Sequence, residues 1–153
     1  MKYGVLTVDN RDEKFINQTV KYGGCTAERH TTDGGAYWNP WEWVNPPMVL
    51  GKEYRTIERY QGNPVYTKAL EFGTLPASGS SYVRTGISGG TLVSLTGTFF
   101  DSGGGGAEPY PIMSSSGTKC LCWVNDDCST LFTQAIADCS GYTGEFIIKY
   151  TKD

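Results

Sequence analysis

The clearest structural signal in the chain is residues 91–100, Thr91-Leu92-Val93-Ser94-Leu95-Thr96-Gly97-Thr98-Phe99-Phe100. From Val93 to Phe99 every second residue is apolar or glycine, and the residues between are mostly Ser and Thr. Because successive side chains of a strand point to opposite faces, this alternation predicts a strand with one buried face. Glycine-rich turn signals lie on both sides of it, at 88–90 and 101–107. The stretch therefore predicts a β-strand in a sheet with a core on one side.

The same alternation recurs along the rest of the chain, between turn signals at short intervals. The composition agrees, since 20 glycines suit turns and the 10 tyrosines pack well on pleated surfaces. Further strands are predicted at residues 3–8, 15–22, 25–30, 53–60, 65–72, 80–87, 110–113, 119–124, 130–137 and 145–150. We also predict a hairpin around Gln61-Gly62-Asn63-Pro64, with Tyr60 opposite Val65 and Arg59 opposite Tyr66. The run of glycines from Gly103 to Gly106 predicts a mobile loop.

Asn45-Pro46-Pro47 is the strongest predicted domain boundary, because two prolines remove backbone donors and stop a regular element. Residues 1–45 would form a small N-terminal β element. Residues 46–153 would form an antiparallel β-sandwich or jelly-roll-like domain of about eight strands. The predicted fold class is therefore all-β.

The charge distribution argues against two classes of partner. The net charge is −3 and the 13 Lys and Arg residues are scattered, whereas nucleic-acid binding needs a clustered basic surface. No apolar run approaches the ~20 residues that cross a bilayer, so we expect no membrane insertion. The five cysteines leave three readings open: unpaired thiols, one disulfide, or a zinc site, which Cys-x-Cys spacing does not favour. We expect unpaired thiols, no metal and no cofactor.

Catalysis is not expected either. The lone histidine, His30, has no nucleophile motif near it in the sequence. Paired carboxylates could hydrolyse a glycan, and the available pairs are Glu53 with Glu58, Asp126 with Asp127 and Asp101 with Glu108. Acids in turns more commonly cap backbone amides.

Binding is the more plausible chemistry, because aromatic rings stack on sugar C–H groups while polar side chains bind hydroxyls. Trp41 and Trp43 lie two residues apart and are predicted to be core. Three groups of candidate ligand-binding residues remain: Asp33, Tyr37 and Trp38; Asp101, Glu108 and Tyr110; and Trp123, Asn125 and Asp126. Arg29 and Asn39 accompany the first group.

Several separated motifs occur in order over residues 41–153: Trp41-Glu42-Trp43-Val44-Asn45-Pro46-Pro47-Met48, Gly51-Lys52-Glu53-Tyr54-Arg55-Thr56-Ile57-Glu58-Arg59-Tyr60, Pro64-Val65-Tyr66-Thr67-Lys68, Phe72-Gly73-Thr74-Leu75-Pro76, Ser140-Gly141-Tyr142-Thr143 and Lys149-Tyr150-Thr151-Lys152. Together they resemble the C-terminal region of bacteriophage and prophage tail fibres. In the first 43 residues, Tyr3-Gly4-Val5-Leu6-Thr7-Val8, Gln18, Arg29 and Trp38-Asn39-Pro40-Trp41 follow a pattern that resembles part of a pyocin-knob element. The residues that usually precede this pattern are lacking. Cys120, Cys122 and Cys128 are not part of the tail-fibre pattern.

The resemblance implies a homotrimeric β-structured fibre tip that is made in the bacterial host cytoplasm and carried on the virion. Its partner would be a bacterial surface glycan or another envelope receptor, and avidity would come from repeated weak sites. Two other functions remain open, a structural trimerisation module without a ligand and a small glycan hydrolase.

Overall fold

A computed structural model describes residues 4–114 and 117–152. Every regular element described is a strand, so the predicted all-β class is confirmed. In the described residues no helix is long and apolar enough to span a membrane. The strands are β1 (Val5–Asn10), β2 (Ile16–Tyr22), β3 (Cys25–Thr31), β4 (Glu42–Asn45), β5 (Glu53–Tyr60), β6 (Asn63–Thr74), β7 (Gly79–Arg84), β8 (Thr91–Asp101), β9 (Gly106–Pro109), β10 (Ile112–Ser114), β11 (Gly117–Val124), β12 (Thr130–Ala135) and β13 (Tyr142–Thr151).

The strands form two sheets. The larger has the order β1-β2-β3-β4-β5-β6-β13-β8-β9, and the smaller has the order β10-β11-β12-β7. Neighbouring strands are antiparallel except β4 and β5, which pair in parallel through Trp43 and Thr56. The large sheet therefore continues across Asn45-Pro46-Pro47. The division into units at 1–45 and 46–153 stays a prediction.

The two sheets pack face to face around one main core, as in the predicted sandwich. Phe99 and Phe146 of the large sheet contact Cys120, Cys122 and Leu131 of the small one, and all five are buried. A second cluster extends this core around Leu70, Ile148 and Tyr150. Further buried side chains of β5 and β6, among them Tyr54, Val65 and Thr67, lie on the opposite face of the large sheet.

The hairpin between β5 and β6 exists, but its predicted register was wrong. Tyr60 pairs with Asn63, and Arg55 rather than Arg59 lies opposite Tyr66. The turn is the two residues Gln61 and Gly62, whose φ angles of 50° and 82° are both positive. Two such residues form the tight turn that matches the twist of a hairpin, so Asn63 and Pro64 join the strand.

A carboxylate holds β4 against β5 next to the proline pair. Glu42 accepts hydrogen bonds from Nε of Arg55 at 2.7 Å and from Nη2 of Arg59 at 2.6 and 2.8 Å. Burial raises the pKa of Glu42, but the hydrogen bonds from Arg59 and Arg55 outweigh it and hold the pKa below its ordinary value. The two arginines thus favour the ionised carboxylate in the folded chain.

The hydrogen bonds of Glu42 make stability depend on pH. Since its folded pKa is lowered, its contribution is present above the ordinary Glu value of about 4.3 and is lost as the pH falls through the folded value. We expect Glu42→Gln to lower the free energy of unfolding at pH 7 by about 1 kcal/mol, because the pair is partly screened by solvent. Urea titrations should show this difference shrinking below about pH 4.

The matched control is Glu13→Gln, which removes an exposed carboxylate that lies outside any ion pair in the described residues. It should leave the unfolding midpoint unchanged at every pH. A Glu42→Gln difference that is the same at pH 7 and at pH 3 would contradict the assignment.

Close packing of the core depends on a glycine opposite Phe146. A methyl group on Gly97 would lie 2.6 Å from two ring carbons of Phe146. We therefore expect Gly97→Ala to destabilise the fold by about 1–3 kcal/mol, as overpacked cores do. In Gly141→Ala the nearest atom would be 4.0 Å away, so this control should unfold at the wild-type urea concentration. Equal urea midpoints for Gly97→Ala and Gly141→Ala would contradict this prediction, because the core would then accommodate the added methyl group.

Candidate functional site: an exposed aromatic row

Three aromatic side chains form a row across the outer face of the small sheet. Trp123 of β11 pairs with Phe132 of β12, and Phe132 pairs with Tyr82 of β7. The rings of Trp123 and Phe132 are stacked, with centroids 5.5 Å apart and planes at 9°. The Tyr82 ring lies 6.1 Å from Phe132. Trp123 is 41% exposed and Tyr82 is 62% exposed, so the row is open to solvent.

Strand alternation places this row outside. Cys122 and Leu131, the neighbours of Trp123 and Phe132 along their strands, point into the core and are buried. Side chains on adjacent positions must then point the other way. With the core on the inner face, the outer rings pack against each other.

An arginine lies at the Tyr82 end of the row. Arg84 donates from Nη1 to Oγ1 of Thr130 at 2.8 Å, and its guanidinium carbon is 5.9 Å from the centre of the Tyr82 ring. Tyr82, Arg84, Thr130 and Phe132 line a shallow hollow of about 210 Å³. In residues 4–114 and 117–152 no carboxylate pairs with Arg84. This end of the row combines an aromatic face with an unneutralised hydrogen-bond donor.

The β11–β12 turn lies at the Trp123 end. Asn125, one of the candidate residues, accepts from the backbone N of Thr130 at 2.8 Å and donates to Oγ of Ser129 at 3.0 Å. Its side chain thus shapes the turn. Asp126 is exposed at the tip of the same turn. Trp123, Asn125 and Asp126 are therefore brought together, as the sequence analysis grouped them.

The group on β8 and β9 is placed differently. Asp101 accepts from the backbone N of Gly103 at 2.8 Å at the start of the glycine turn. The Tyr142 hydroxyl donates to Glu108 at 3.4 Å. The Tyr110 ring packs on Phe99 and Phe146 in the main core, and its hydroxyl donates to the Cys122 carbonyl at 2.7 Å. Each of these polar atoms already has a partner within the chain, and Tyr110 faces the core.

The N-terminal group surrounds the loop between β3 and β4. Asp33 accepts from Oγ1 of Thr31 at 2.6 Å and from the backbone N of Tyr37 at 3.0 Å, and the Thr31 bond is the main cause of its lowered pKa. Tyr37 is 66% exposed. Trp38 packs against the guanidinium of Arg29, with 4.6 Å from the guanidinium carbon to the ring centre. Asp33 shapes the loop, and the loop presents Tyr37 and Trp38.

Trp41 and Trp43 depart from the predicted core assignment. Trp43 packs edge-on against buried Tyr54. Trp41 is 37% exposed, so the core prediction was wrong for it. Neither core cluster of the described residues includes a residue of β1–β4, because the small sheet packs against β6, β8 and β13 instead.

The thiols lie mainly in the core and form no metal site in the described residues. Cys25, Cys120, Cys122 and Cys139 are free thiols, and the last three are buried together in the main core. The pKa of Cys139 is raised to about 11, mainly by burial. No group of three or more His, Cys, Asp or Glu side chains in the described residues is arranged to hold a metal ion.

The acids proposed for hydrolysis lie in ion pairs or turns. Glu53 binds Lys152 at 2.6 Å and the Tyr150 hydroxyl, while Glu58 binds Lys149 at 2.6 Å. Burial raises the pKa of Glu53, but the hydrogen bonds from Lys152 and Tyr150 bring it below its ordinary value. Asp127 accepts from the backbone N of Ser129. A general acid needs a raised pKa, so Glu53 is poorly suited to that role in glycoside hydrolysis. His30 stacks on Phe15 and bonds the Asn39 amide.

Of the aromatic row, sequence reasoning identified Trp123 but missed Tyr82, Phe132 and Arg84. The alternation of side chains on β7 and β12 indicates that these three residues lie on one side of their strands, and this was the signal that the sequence offered. Their convergence with Trp123 depends on the pairing of β7 with β12 and β11, strands far apart in the sequence.

No family model and no curated protein matches the chain. Solved structures of pyocin tail fibres are similar to it at low identity. An N-truncated R2-type pyocin tail fibre has 11% identity and a TM-score of 0.38, covering 95% of this chain and 81% of that one. A P. aeruginosa R2 pyocin fibre has 11% identity and a TM-score of 0.35, covering 95% and 56%. A P. aeruginosa R1 fibre has 12% identity and a TM-score of 0.30, covering 96% and 57%.

Proposed function

We propose that this chain is a host-attachment module of a phage or prophage tail fibre, which binds a bacterial surface glycan through the aromatic row. The observation that carries the proposal is the exposed Trp123–Phe132–Tyr82 row with Arg84 at its end. Contiguous exposed apolar surface beside polar groups is typical of binding sites. The tail-fibre motifs in the sequence supply the biological setting.

The row has the two components that sugar recognition needs. Exposed ring faces and edges of Trp123 and Tyr82 offer apolar contact to pyranose C–H groups. Arg84, at the hollow, and Asp126, exposed in the turn after β11, offer a donor and an acceptor for hydroxyls. A shallow open surface of this kind gives weak contacts, and several copies on one particle would raise the overall avidity by roughly 10² to 10⁴.

The proposed module binds without catalysing a reaction. Its partner is the glycan, and it requires no metal, cofactor, nucleic acid or membrane insertion. It would act on the virion after synthesis in the bacterial cytoplasm. The engagement of Glu53, Glu58 and Asp127 in ion pairs and turns supports this reading over hydrolysis.

The test is binding of the purified chain to a panel of intact bacteria. We expect saturable binding to some strains that is lost after periodate oxidation of surface glycans. Trp123→Ala and Tyr82→Ala should each weaken it by about tenfold or more, which corresponds to ~1.4 kcal/mol of lost contact. Because both side chains are partly exposed, each variant should stay folded, and loss of the ring contact with Phe132 should lower its stability by only about 0.5–1.5 kcal/mol.

Tyr22→Ala is the matched control, because Tyr22 is 43% exposed but lies on β2 of the other sheet. It should bind cells like the wild type. Binding that survives periodate, or that Tyr22→Ala weakens as much as Trp123→Ala does, would contradict the proposal.

A structural trimerisation module is the second candidate, and exposed apolar side chains on the large sheet favour it. Val5, Leu6 and Val8 of edge strand β1 are each more than half exposed. On another part of the sheet, Leu50 and Ile147 line a groove of about 260 Å³. Side chains of this kind are commonly covered by neighbouring subunits.

Light scattering distinguishes this role from glycan binding. A trimer should dissociate when Leu6→Glu and Val8→Glu are combined, since charges would be buried in its interface, and Trp123→Ala should leave its mass unchanged. A stable trimer that binds no strain of a broad panel would favour the structural role. A wild-type monomer at all concentrations would rule it out for the isolated chain.

A further inference from the structure

We propose a second binding site in the N-terminal strands, in which Arg29, Trp38 and Trp41 receive an oxyanion carried on a saccharide, a carboxylate or a phosphate. The site lies on β3 and the following loop, apart from the aromatic row of the small sheet. It does not depend on the function proposed for that row.

Arg29 is held on three sides. Its guanidinium carbon lies 4.6 Å from the centre of the Trp38 ring and 4.7 Å from that of Trp41. Its Nε donates to Oε1 of Gln18, directly opposite on β2, at 2.8 Å. Arginine has five N–H donors, of which Nε carries one, so the terminal nitrogens supply the other four. For those nitrogens, residues 4–114 and 117–152 provide no hydrogen-bond acceptor and no carboxylate partner.

This arrangement differs from the arginines that serve a structural ion pair. Arg55 and Arg59 both donate to the carboxylate of Glu42. Arg29 is half-buried yet lacks such a carboxylate, and the electron-rich faces of two tryptophans partly replace it. Ring stacking leaves the outer edge of a guanidinium available, and that edge matches the two oxygens of a carboxylate or phosphate.

Preorganisation strengthens the case. Arg29 would not need to lose side-chain freedom on binding, because the two rings and Gln18 already fix it. The acid nearest in the loop, Asp33, is occupied with Thr31 and the backbone of Tyr37. Exposed Tyr37 and partly exposed Trp41 offer apolar surface for the sugar ring that carries the oxyanion. The ligand class is therefore an acidic or phosphorylated saccharide.

The probes are sodium glucuronate and inorganic phosphate, with the neutral sugar methyl glucoside as the reference. Tryptophan fluorescence reports on the site because Trp38 and Trp41 flank Arg29, and the NMR signal of the Arg29 Nε–H identifies the group. We expect saturable titration by at least one anion, weakening at high salt, and none by methyl glucoside. Glucuronate alone would identify carboxylated sugars as the ligand, and phosphate alone would identify phosphorylated ones.

Two substitutions test the mechanism in the full chain. Gln18→Glu keeps the shape of the side chain but places a carboxylate on Arg29, so it should compete with the ligand internally. Arg29→Lys keeps the positive charge but loses the paired N–H donors of the guanidinium. Each should weaken anion binding by about tenfold or more. Arg11→Gln removes an exposed charge that pairs with Asp9 and belongs to neither proposed site, so it should leave anion binding unchanged.

The proposal is overturned if neither anion gives saturable binding, or if folded Gln18→Glu and Arg29→Lys bind like the wild type. Folding of each variant is checked by its urea midpoint. Equal weakening by Arg11→Gln would also overturn it, because the signal would then come from general charge attraction.

Discussion

The packing of Phe146 is the contact on which the rest of the structure depends. Its strand, β13, pairs with β6 on one side and β8 on the other, and Phe146 lies opposite Gly97. The missing side chain at Gly97 lets the ring approach the backbone and meet Phe99 and Tyr110 at 5.5 and 6.4 Å. Because further side chains of β13 reach the second core cluster, one strand supports both parts of the sandwich. The small sheet can bury its inner face only by packing on this surface.

When the small sheet packs on the large one, the alternation of side chains along its strands determines which of them are exposed to solvent. Cys122 and Leu131 are committed to the core, so Trp123 and Phe132 must point outward. A surface that served stability alone would carry polar residues there, as antiparallel sheets with one wet face usually do. Stacking between the rings recovers part of the cost of exposure, but Tyr82 and Trp123 keep much of their surface in water. That retained exposure is the physical reason to assign the outer face a partner.

Local pattern predicted most strand positions, because alternation and turn residues are read over a few neighbours. It failed where the outcome depended on distant or special geometry. Gln61 adopts a positive φ, which is uncommon for a residue other than glycine, so the sequence pattern did not predict the hairpin register. Trp41 was predicted to be buried, but the core beneath the small sheet does not extend to it. The row could not be read from the sequence, since Tyr82 and Trp123 meet only through Phe132 of a third strand.

The five arginines show how the charge of this chain is used. Arg11, Arg55 and Arg59 each lie within 4 Å of a carboxylate, and Arg11 also lies over the Phe15 ring. Arg29 and Arg84 lie over aromatic rings and have no carboxylate partner in the described residues. The chain carries a net charge of −3, so carboxylates are in excess and unpaired arginines are not forced by composition. A guanidinium that lies on a ring keeps the N–H donors at its edge available. In an ion pair, a carboxylate would accept from those donors instead. The two arginines therefore mark the surfaces on which this fold has hydrogen-bonding capacity left for a ligand.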